Sequence, residues 1–325
     1  MRVRFWGTRG SFVAPGAAFQ RYGGATLCIE VVTDAGARIL IDAGTGAIPL
    51  GGKLLGDSMR GGSKKFAILL SHTQIDHIQG LPFFAPILMA GWEVTVLGPS
   101  HSGRDISGIL DAALNPDYSP LYGVENLGPK VVLRTVTEGD FLWEGIRIRT
   151  RELPHGRTKS LGFRVEADGV AVAIVSDVEY TGEPPAAVLE LASEADLLIH
   201  DAMGVAADSP TRVNHARPQD AAHAALDAEA KRLVLYHHDP DLIDDAMDAL
   251  LYRLREEFPG LTIDAARQGD EIILGLVLYA SGQAPHCAAA SGSGATVTGE
   301  SDRVARRYGD ASRVIADSSD LEIRP

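Results

Sequence analysis

The segment SHTQIDHIQG, residues 71–80, follows the apolar run FAILL and crowds His72, Gln74, Asp76 and His77 into six positions. Imidazole nitrogen and carboxylate oxygen are the donors that zinc, manganese and iron accept. Polar groups packed this densely behind a buried strand are costly unless they are solvated or ligated. The same arrangement recurs along the chain. His155 follows RTRELP, Asp177 ends VAVAIVS, and His200 and Asp201 end ADLLI. His215 lies in NHARPQD just before a helical pattern, and His237 and His238 end KRLVLY. A single histidine at a strand end is ordinarily structural. A series of them at the carboxyl ends of separate strands points to one edge of a sheet, where α/β proteins place their sites.

The elements that must position these residues are short. Strand-like runs such as VRFWG, TLCIEVV, ARILIDAG, EVTVLG, IRIRTREL and SLGFRVEA fill the first half. Helical periodicity enters later, in PPAAVLELASEA, RPQDAAHAALDAEA and PDLIDDAMDALLYRLREEF. Strands first, then strands alternating with helices, suit an α/β sandwich of mixed sheets with helices outside better than a uniform doubly wound sheet. The connection 98–128 is expected to carry one helix and a turn-rich stretch that could roof a site. Residues 1–280 are read as one domain. Beyond them the composition turns small and polar (SGQAPHCAAASGSGATVTGESD), so 281–325 is expected to be a flexible low-complexity tail, with contact to a protein partner as its one functional use.

Composition narrows the partners. The formal charge is −13, which disfavours a long nucleic acid as ligand. With only Cys28 and Cys287, widely separated, neither a disulfide framework nor a Cys-based zinc motif is expected. No apolar run reaches the roughly 18 to 20 residues that span a bilayer, and the opening MRVRFWGTRGSF has no signal-peptide pattern. The expectation is a cytoplasmic protein without membrane contact.

The ordered set SHTQIDH, LPHG, VSDVE, NHARPQD and LYHHDP resembles the metallo-beta-lactamase superfamily, whose signature loop is H-x-H-x-D-H. Within it the chain is most similar to the phosphodiesterase branch that includes ribonuclease Z and phosphoribosyl cyclic phosphate phosphodiesterase. FWGTRGSFVAPG, LIDAGTG and DHIQGLPFFAP also fit that branch. The resemblance covers roughly residues 1 to 275 and implies an αββα sandwich. It assigns His72, Gln74 and His155 to one divalent metal, Asp76, His77 and His237 to a second, and Asp177 to a bridge between them. Zinc or manganese is implied, one ion or two, with a metal-bound hydroxide as nucleophile. His215 would donate a hydrogen bond or proton to the phosphoryl or leaving oxygen, and Asp76 would orient the attacking water. Of His237 and His238 the resemblance implies the first, because the family's ligand directly follows the strand; neighbouring strand residues face opposite ways, so both cannot easily serve. His200 and Asp201 are placed behind the ligands, where they could hold a ligand histidine. Arg9, or backbone N–H groups of its glycine-rich turn, could touch an anion.

Two positions depart from the branch. Gln74 replaces the second histidine of the signature loop with an amide, a weak zinc ligand. Ala216 and Arg217 follow His215 in place of small hydroxyl residues; Arg217 is read as an exposed helix-start residue that could instead meet a phosphate. Two functional expectations follow. The first is a metal-dependent hydrolase of a small anionic phosphodiester such as a cyclic nucleotide. The second is a catalytically degenerate ligand-binding or regulatory module on the same scaffold. Transfer-RNA processing fits less well, because only 37 residues separate Asp177 from His215, too few for a long basic arm. A beta-lactamase or thioester hydrolase also fits less well, since NHARPQDAAHAA matches the phosphodiesterase branch. A homodimer is compatible with either expectation.

Overall fold

Several strands of this chain carry unbroken apolar runs, and both faces of each run are covered. In β4 (Lys65–Leu69), Ala67 and Leu69 point one way and Phe66 and Ile68 the other, all fully buried. β11 (Leu197–Asp201) is buried along its whole length. Such strands lose the polar alternation of a surface strand and read as continuous apolar runs.

A computed structural model of the chain describes residues 1–117, 119–121, 123–128, 130–204 and 214–275. They form two seven-stranded sheets. The first sheet contains β1 (Arg2–Gly7), β2 (Cys28–Val32), β3 (Arg38–Ile41), β4, β5 (Glu93–Gly98) and β6 (Lys130–Thr135) in sequence order, with β14 (Glu271–Ile273) against β1. The second runs β7 (Gly139–Trp143), β8 (Ile146–His155), β9 (Thr158–Ala167), β10 (Val170–Val175), β11, β12 (Leu233–Tyr236) and β13 (Ile263–Ala265). Strands β3 to β6 are parallel, as are β10 to β13. β8 and β10 are both antiparallel to β9, so β8 shares the direction of β10.

Between the sheets lies one apolar layer, including Val3, Phe5, Ile29 and Ile41 from the first and Ile148, Phe163, Ile174 and Ile199 from the second. Helices α1 (Ala47–Met59), α3 (Ala85–Leu88) and α4 (Ile106–Ala113) cover the outer face of the first sheet. Helices α5 (Ala186–Ala192), α6 (Pro218–Asp227) and α7 (Asp244–Glu257) cover that of the second. This is the expected αββα sandwich. The short α2 (Ile75–Ile78) belongs to the loop after β4, and α4 is the helix expected within 98–128. Three elements have no clear counterpart in the sequence pattern. Gly51, Gly52 and Gly56 interrupt α1, β7 is an edge strand with no fully buried residue, and β13 has only three residues. The compact unit spans Met1–Val277; the expected tail, 281–325, lies outside the described residues. No helix among the described residues is long and apolar enough to cross a membrane.

At one end the two sheets are clasped by backbone. The His238 amide donates to Thr8 O (2.8 Å), the Gly10 amide to His238 O (2.9 Å), and Tyr236 OH to Gly7 O (3.0 Å). Arg9 completes the clasp from inside and is fully buried. Its guanidinium donates to the carbonyls of Gly23 (2.8 Å), Asp239 (2.9 Å) and Leu242 (2.8 Å) and lies 3.7 Å from Asp244. Nε and Nη1 of this side chain are thus committed to carbonyls of the fold, and Nη2 faces Asp244. Arg9→Met should lower the unfolding free energy by about 3 to 5 kcal/mol, because three buried carbonyls lose a donor and Asp244 loses its buried cation. Urea denaturation measures this, and a loss below about 0.5 kcal/mol, typical of a surface residue, would contradict it.

Candidate metal centre

The carboxyl ends of β4, β8, β10, β11 and β12 meet at the clasped end, and each delivers a polar side chain. Strand parity does not set their directions, because Asp42, Asp177 and His237 have left-handed backbones, with φ of 60°, 49° and 54°. Aspartate tolerates this region better than most residues. Histidine at such a position, pinned by the clasp at His238, is a local strain of the kind that collects at functional sites. Gly10 makes room for it, since a Cβ there would lie 2.3 Å from the His237 ring.

Asp177 is the hub. Its Oδ2 lies 3.7 Å from both His72 Nε2 and His155 Nε2. Its Oδ1 lies 3.2 Å from His77 Nε2 and 3.1 Å from His237 Nε2. Asp76 Oδ2 is 3.5 Å from each of the latter two nitrogens. Thus His72, His155 and Asp177 form one donor cluster, and Asp76, His77 and His237 form a second. The second touches the other oxygen of Asp177, Oδ1, and His215 joins Asp177 and His237 from a third side.

This donor set fits a divalent cation. His72 Nε2, His77 Nε2 and His237 Nε2 are buried without a hydrogen-bond partner, a costly state for three polar atoms aimed at one place. Ligands about 2.0 to 2.2 Å from a tetrahedral ion stand about 3.3 to 3.6 Å apart, close to the spacings found here. The local field agrees. Burial alone would raise Asp177 and Asp76, but His237 and His77 hold both below the usual carboxylate range. Burial alone would lower His237, but Asp177, Asp76 and Asp201 push it up to about 10. His72, desolvated and beside His77, is pushed down to about 3.

Behind the donors stands a layer that orients them. Asp42 Oδ2 lies 2.9 Å from His77 Nδ1. Asp42 also accepts from the Ser71 amide (2.8 Å) and hydroxyl (3.0 Å). The Ser11 amide donates to Asp76 Oδ2 at 2.7 Å, so the glycine-rich turn meets a site carboxylate through its backbone. Asp201 Oδ2 lies 2.8 Å from His215 Nδ1 and holds His215 above its ordinary pKa despite burial. Sequence reasoning placed Asp201 behind the ligands but assigned no role to Asp42. The signal for Asp42 was the same as for the others, an aspartate at the end of an apolar strand, in LIDAGTG.

The remaining candidates sort cleanly. His238 turns away and donates through Nε2 to Ala266 O at 2.8 Å. His200 donates through Nδ1 to the Asp201 carbonyl (2.8 Å) and meets Tyr180 OH through Nε2 (3.0 Å). Arg217 is engaged by Asp220 at the start of α6, with contacts of 2.7 and 3.0 Å. Gln74 reaches in from an exposed backbone position, its amide nitrogen 3.1 Å from His155 Nε2. His155 Nδ1 donates to Asn214 O at 3.1 Å, so its lone pair lies on Nε2. The Gln74 amide donates to that lone pair, the one an ion would use.

The family model for the beta-lactamase superfamily domain matches residues 37–238. Ribonuclease Z of Brevibacillus brevis is 40% identical over 83 residues, 24% of this chain and 26% of that protein, so the match spans about a quarter of that curated relative. The metallo-beta-lactamase fold protein YhfI from Bacillus subtilis superposes with a TM-score of 0.61 at 19% identity, covering 83% of this chain and 98% of that one. Zinc-bound PqqB from Methylobacterium extorquens superposes with a TM-score of 0.60 at 17% identity, covering 84% and 100%. The chain belongs to the beta-lactamase superfamily, with the metallo-beta-lactamase fold and with ribonuclease Z, of the phosphodiesterase branch, among its sequence relatives.

Proposed function

We propose that this chain is a metal-dependent hydrolase of a small phosphodiester, with cyclic nucleotides in the substrate class. The observation that carries the reading is the division of the Asp177 carboxylate between two sets of imidazoles, with the His215–Asp201 pair beside them. His72, His155 and Asp177 would hold one divalent ion; Asp76, His77, His237 and Asp177 would hold the other. The histidine-rich set suits zinc. When bound, such ions supply positive charge to the phosphoryl oxygens and make water a stronger acid.

The side chains do the rest. Asp76 commits Oδ2 to the Ser11 amide and has no hydrogen bond at Oδ1 among the described residues, which leaves that oxygen to accept from the attacking water. His215 commits Nδ1 to Asp201, so Nε2 is the nitrogen that can pass a proton to the departing oxygen. A small substrate is favoured over a long nucleic acid by the charge of −13 and by a cavity of about 660 Å³ bordering His72 and Gln74. The ribonuclease name of its relatives supports a phosphodiester as the bond broken.

One observation favours the second reading, a binding module without turnover: Gln74 occupies the His155 lone pair. Elemental analysis of protein purified without chelator, together with hydrolysis of bis(4-nitrophenyl) phosphate in added zinc or manganese, separates the two. Metal with turnover is the expected result. Metal-free protein that remains inactive with added ions would sink the hydrolase.

Three variants sharpen the test. Asp177→Ala should remove metal from both clusters. His215→Ala should keep the metal and lose roughly 10² to 10⁴-fold in rate. Asp42→Asn should weaken metal affinity by about 10- to 100-fold, as loss of an orienting partner does elsewhere, measured by chelator competition.

A further inference from the structure

An imidazole that is to hold a metal must carry its proton on the nitrogen turned away from the ion, and the hydrogen bond made by that nitrogen fixes it there. For two of the donors the partner is unambiguous. His155 Nδ1 faces the Asn214 carbonyl at 3.1 Å, and His77 Nδ1 faces the Asp42 carboxylate at 2.9 Å. Oxygens of these two kinds accept and do not donate. His72 differs, because its Nδ1 meets a hydroxyl, Ser71 Oγ, at 3.2 Å. A hydroxyl can give a proton or take one, so this contact alone would leave the tautomer of His72 open.

The surroundings of Ser71 close it. Ser71 is fully buried just beyond β4, and its backbone is tied on both sides. Its amide donates to Asp42 Oδ1 at 2.8 Å, and its carbonyl accepts from the Leu161 amide at 2.7 Å. Oγ then lies 3.0 Å from Asp42 Oδ2, 3.1 Å from His77 Nδ1 and 3.2 Å from His72 Nδ1. A single hydroxyl proton has to be placed among three neighbours.

His77 cannot take it, because Nδ1 of that ring already carries a proton toward Asp42. Giving it to His72 would leave the Ser71 and Asp42 oxygens 3.0 Å apart with no proton between them. It would also forgo the bond to a carboxylate, the stronger of the two choices. The proton therefore goes to Asp42 Oδ2, and the lone pairs of Ser71 face the ring nitrogens. His72 Nδ1 must then be the donor, which places the His72 lone pair on Nε2. That atom is buried without a hydrogen-bond partner and lies 3.7 Å from Asp177 Oδ2.

We propose that Ser71 is a positioning residue that relays the orienting effect of Asp42 to His72, so that one carboxylate selects the metal-binding nitrogen of a histidine in each donor cluster. Asp42 reaches His77 directly and His72 only through the hydroxyl. Loss of the hydroxyl is therefore felt on the side of His72 and His155, while His77 keeps its own bond to Asp42. The consequence for metal affinity rests on the metal-dependent reading proposed above; the position of the proton does not.

The first measurement needs no metal. Long-range proton–nitrogen NMR of the histidine rings in metal-free protein, with the His72 signals assigned by their loss in His72→Gln, should show His72 protonated at Nδ1. In Ser71→Ala the proton should move wholly or partly to Nε2, and Ser71→Thr, which keeps a hydroxyl, should return it. A proton on Nε2 of His72 in the unmodified protein, or a tautomer that Ser71→Ala leaves in place, overturns the proposal. The second measurement is chelator competition with zinc. Ser71→Ala should weaken the ion that His155→Ala also removes by roughly 10- to 100-fold, the range for loss of an orienting partner, and leave the ion beside Asp76 nearly unchanged. Equal weakening of both ions, or of neither, overturns the relay. If the unmodified protein binds no zinc, the metal-dependent reading fails alone, and the tautomer still decides the relay.

Discussion

A single buried carboxylate organises this molecule. Asp177 is excluded from water, and an isolated carboxylate there would be prohibitively expensive. It is held by the Ser176 hydroxyl, which donates to Oδ1 at 2.7 Å, and its backbone carbonyl accepts from the Ser160 hydroxyl at 2.7 Å. Four imidazoles face its two oxygens, two on each. No local segment could provide such a shell. His72 and His77 come from the loop after a strand of the first sheet; His155 and His237 come from strand ends of the second.

The sandwich is what makes that convergence repeatable. The apolar layer from Val3 to Ile199 fixes the spacing of the sheets, and the backbone clasp between Thr8–Gly10 and His238 fixes it at the end where the ligands sit. A further tie runs through the signature loop, where the Leu161 amide donates to Ser71 O at 2.7 Å. Ser71 in turn touches Asp42 and the Nδ1 atoms of His72 and His77. Packing, clasp and orienting layer act on the same few atoms.

Much of this was legible because the buried strands are apolar to the last residue and then turn abruptly polar. The contrast at Leu69–Ser71, Val175–Asp177 and Tyr236–His237 marks strand ends that face one site. What stayed hidden depended on tertiary context. Asp42 carries the same signal but sits in a glycine-rich turn that reads as a connection. Arg9 looks like an anion ligand until its burial and three carbonyl partners are seen. The choice of His237 over His238 rested on the family pattern, with strand alternation only excluding both, and the structure directs the two by a left-handed residue at 237 and by the contact of His238 with Ala266. Helix α1 was obscured by glycines that lower its intrinsic propensity, while its buried Leu50 and Leu54 pack it against the sheet.

Gln74 raises the question of whether one altered ligand disables the centre, and magnitudes decide it. Because Asn214 fixes the proton on His155 Nδ1, the amide and an ion compete for a single lone pair. Displacing the amide costs about one hydrogen bond, or roughly 0.5 to 1.5 kcal/mol, small beside the roughly 10 to 16 kcal/mol with which zinc-finger peptides bind structural zinc. Half a turn of the same amide presents its oxygen at that point, a weak donor that recovers part of the loss. The other cluster, with Asp76, His77 and His237, contains no such competitor. On the proposed metal-binding reading, Gln74 would therefore make the centre asymmetric rather than inert, lowering affinity on the side of His72 and His155 and leaving the cluster nearest Asp76 without a competitor. A competitor this weak at one position does not by itself reduce the chain to a binding module, so the hydrolase reading stands beside Gln74.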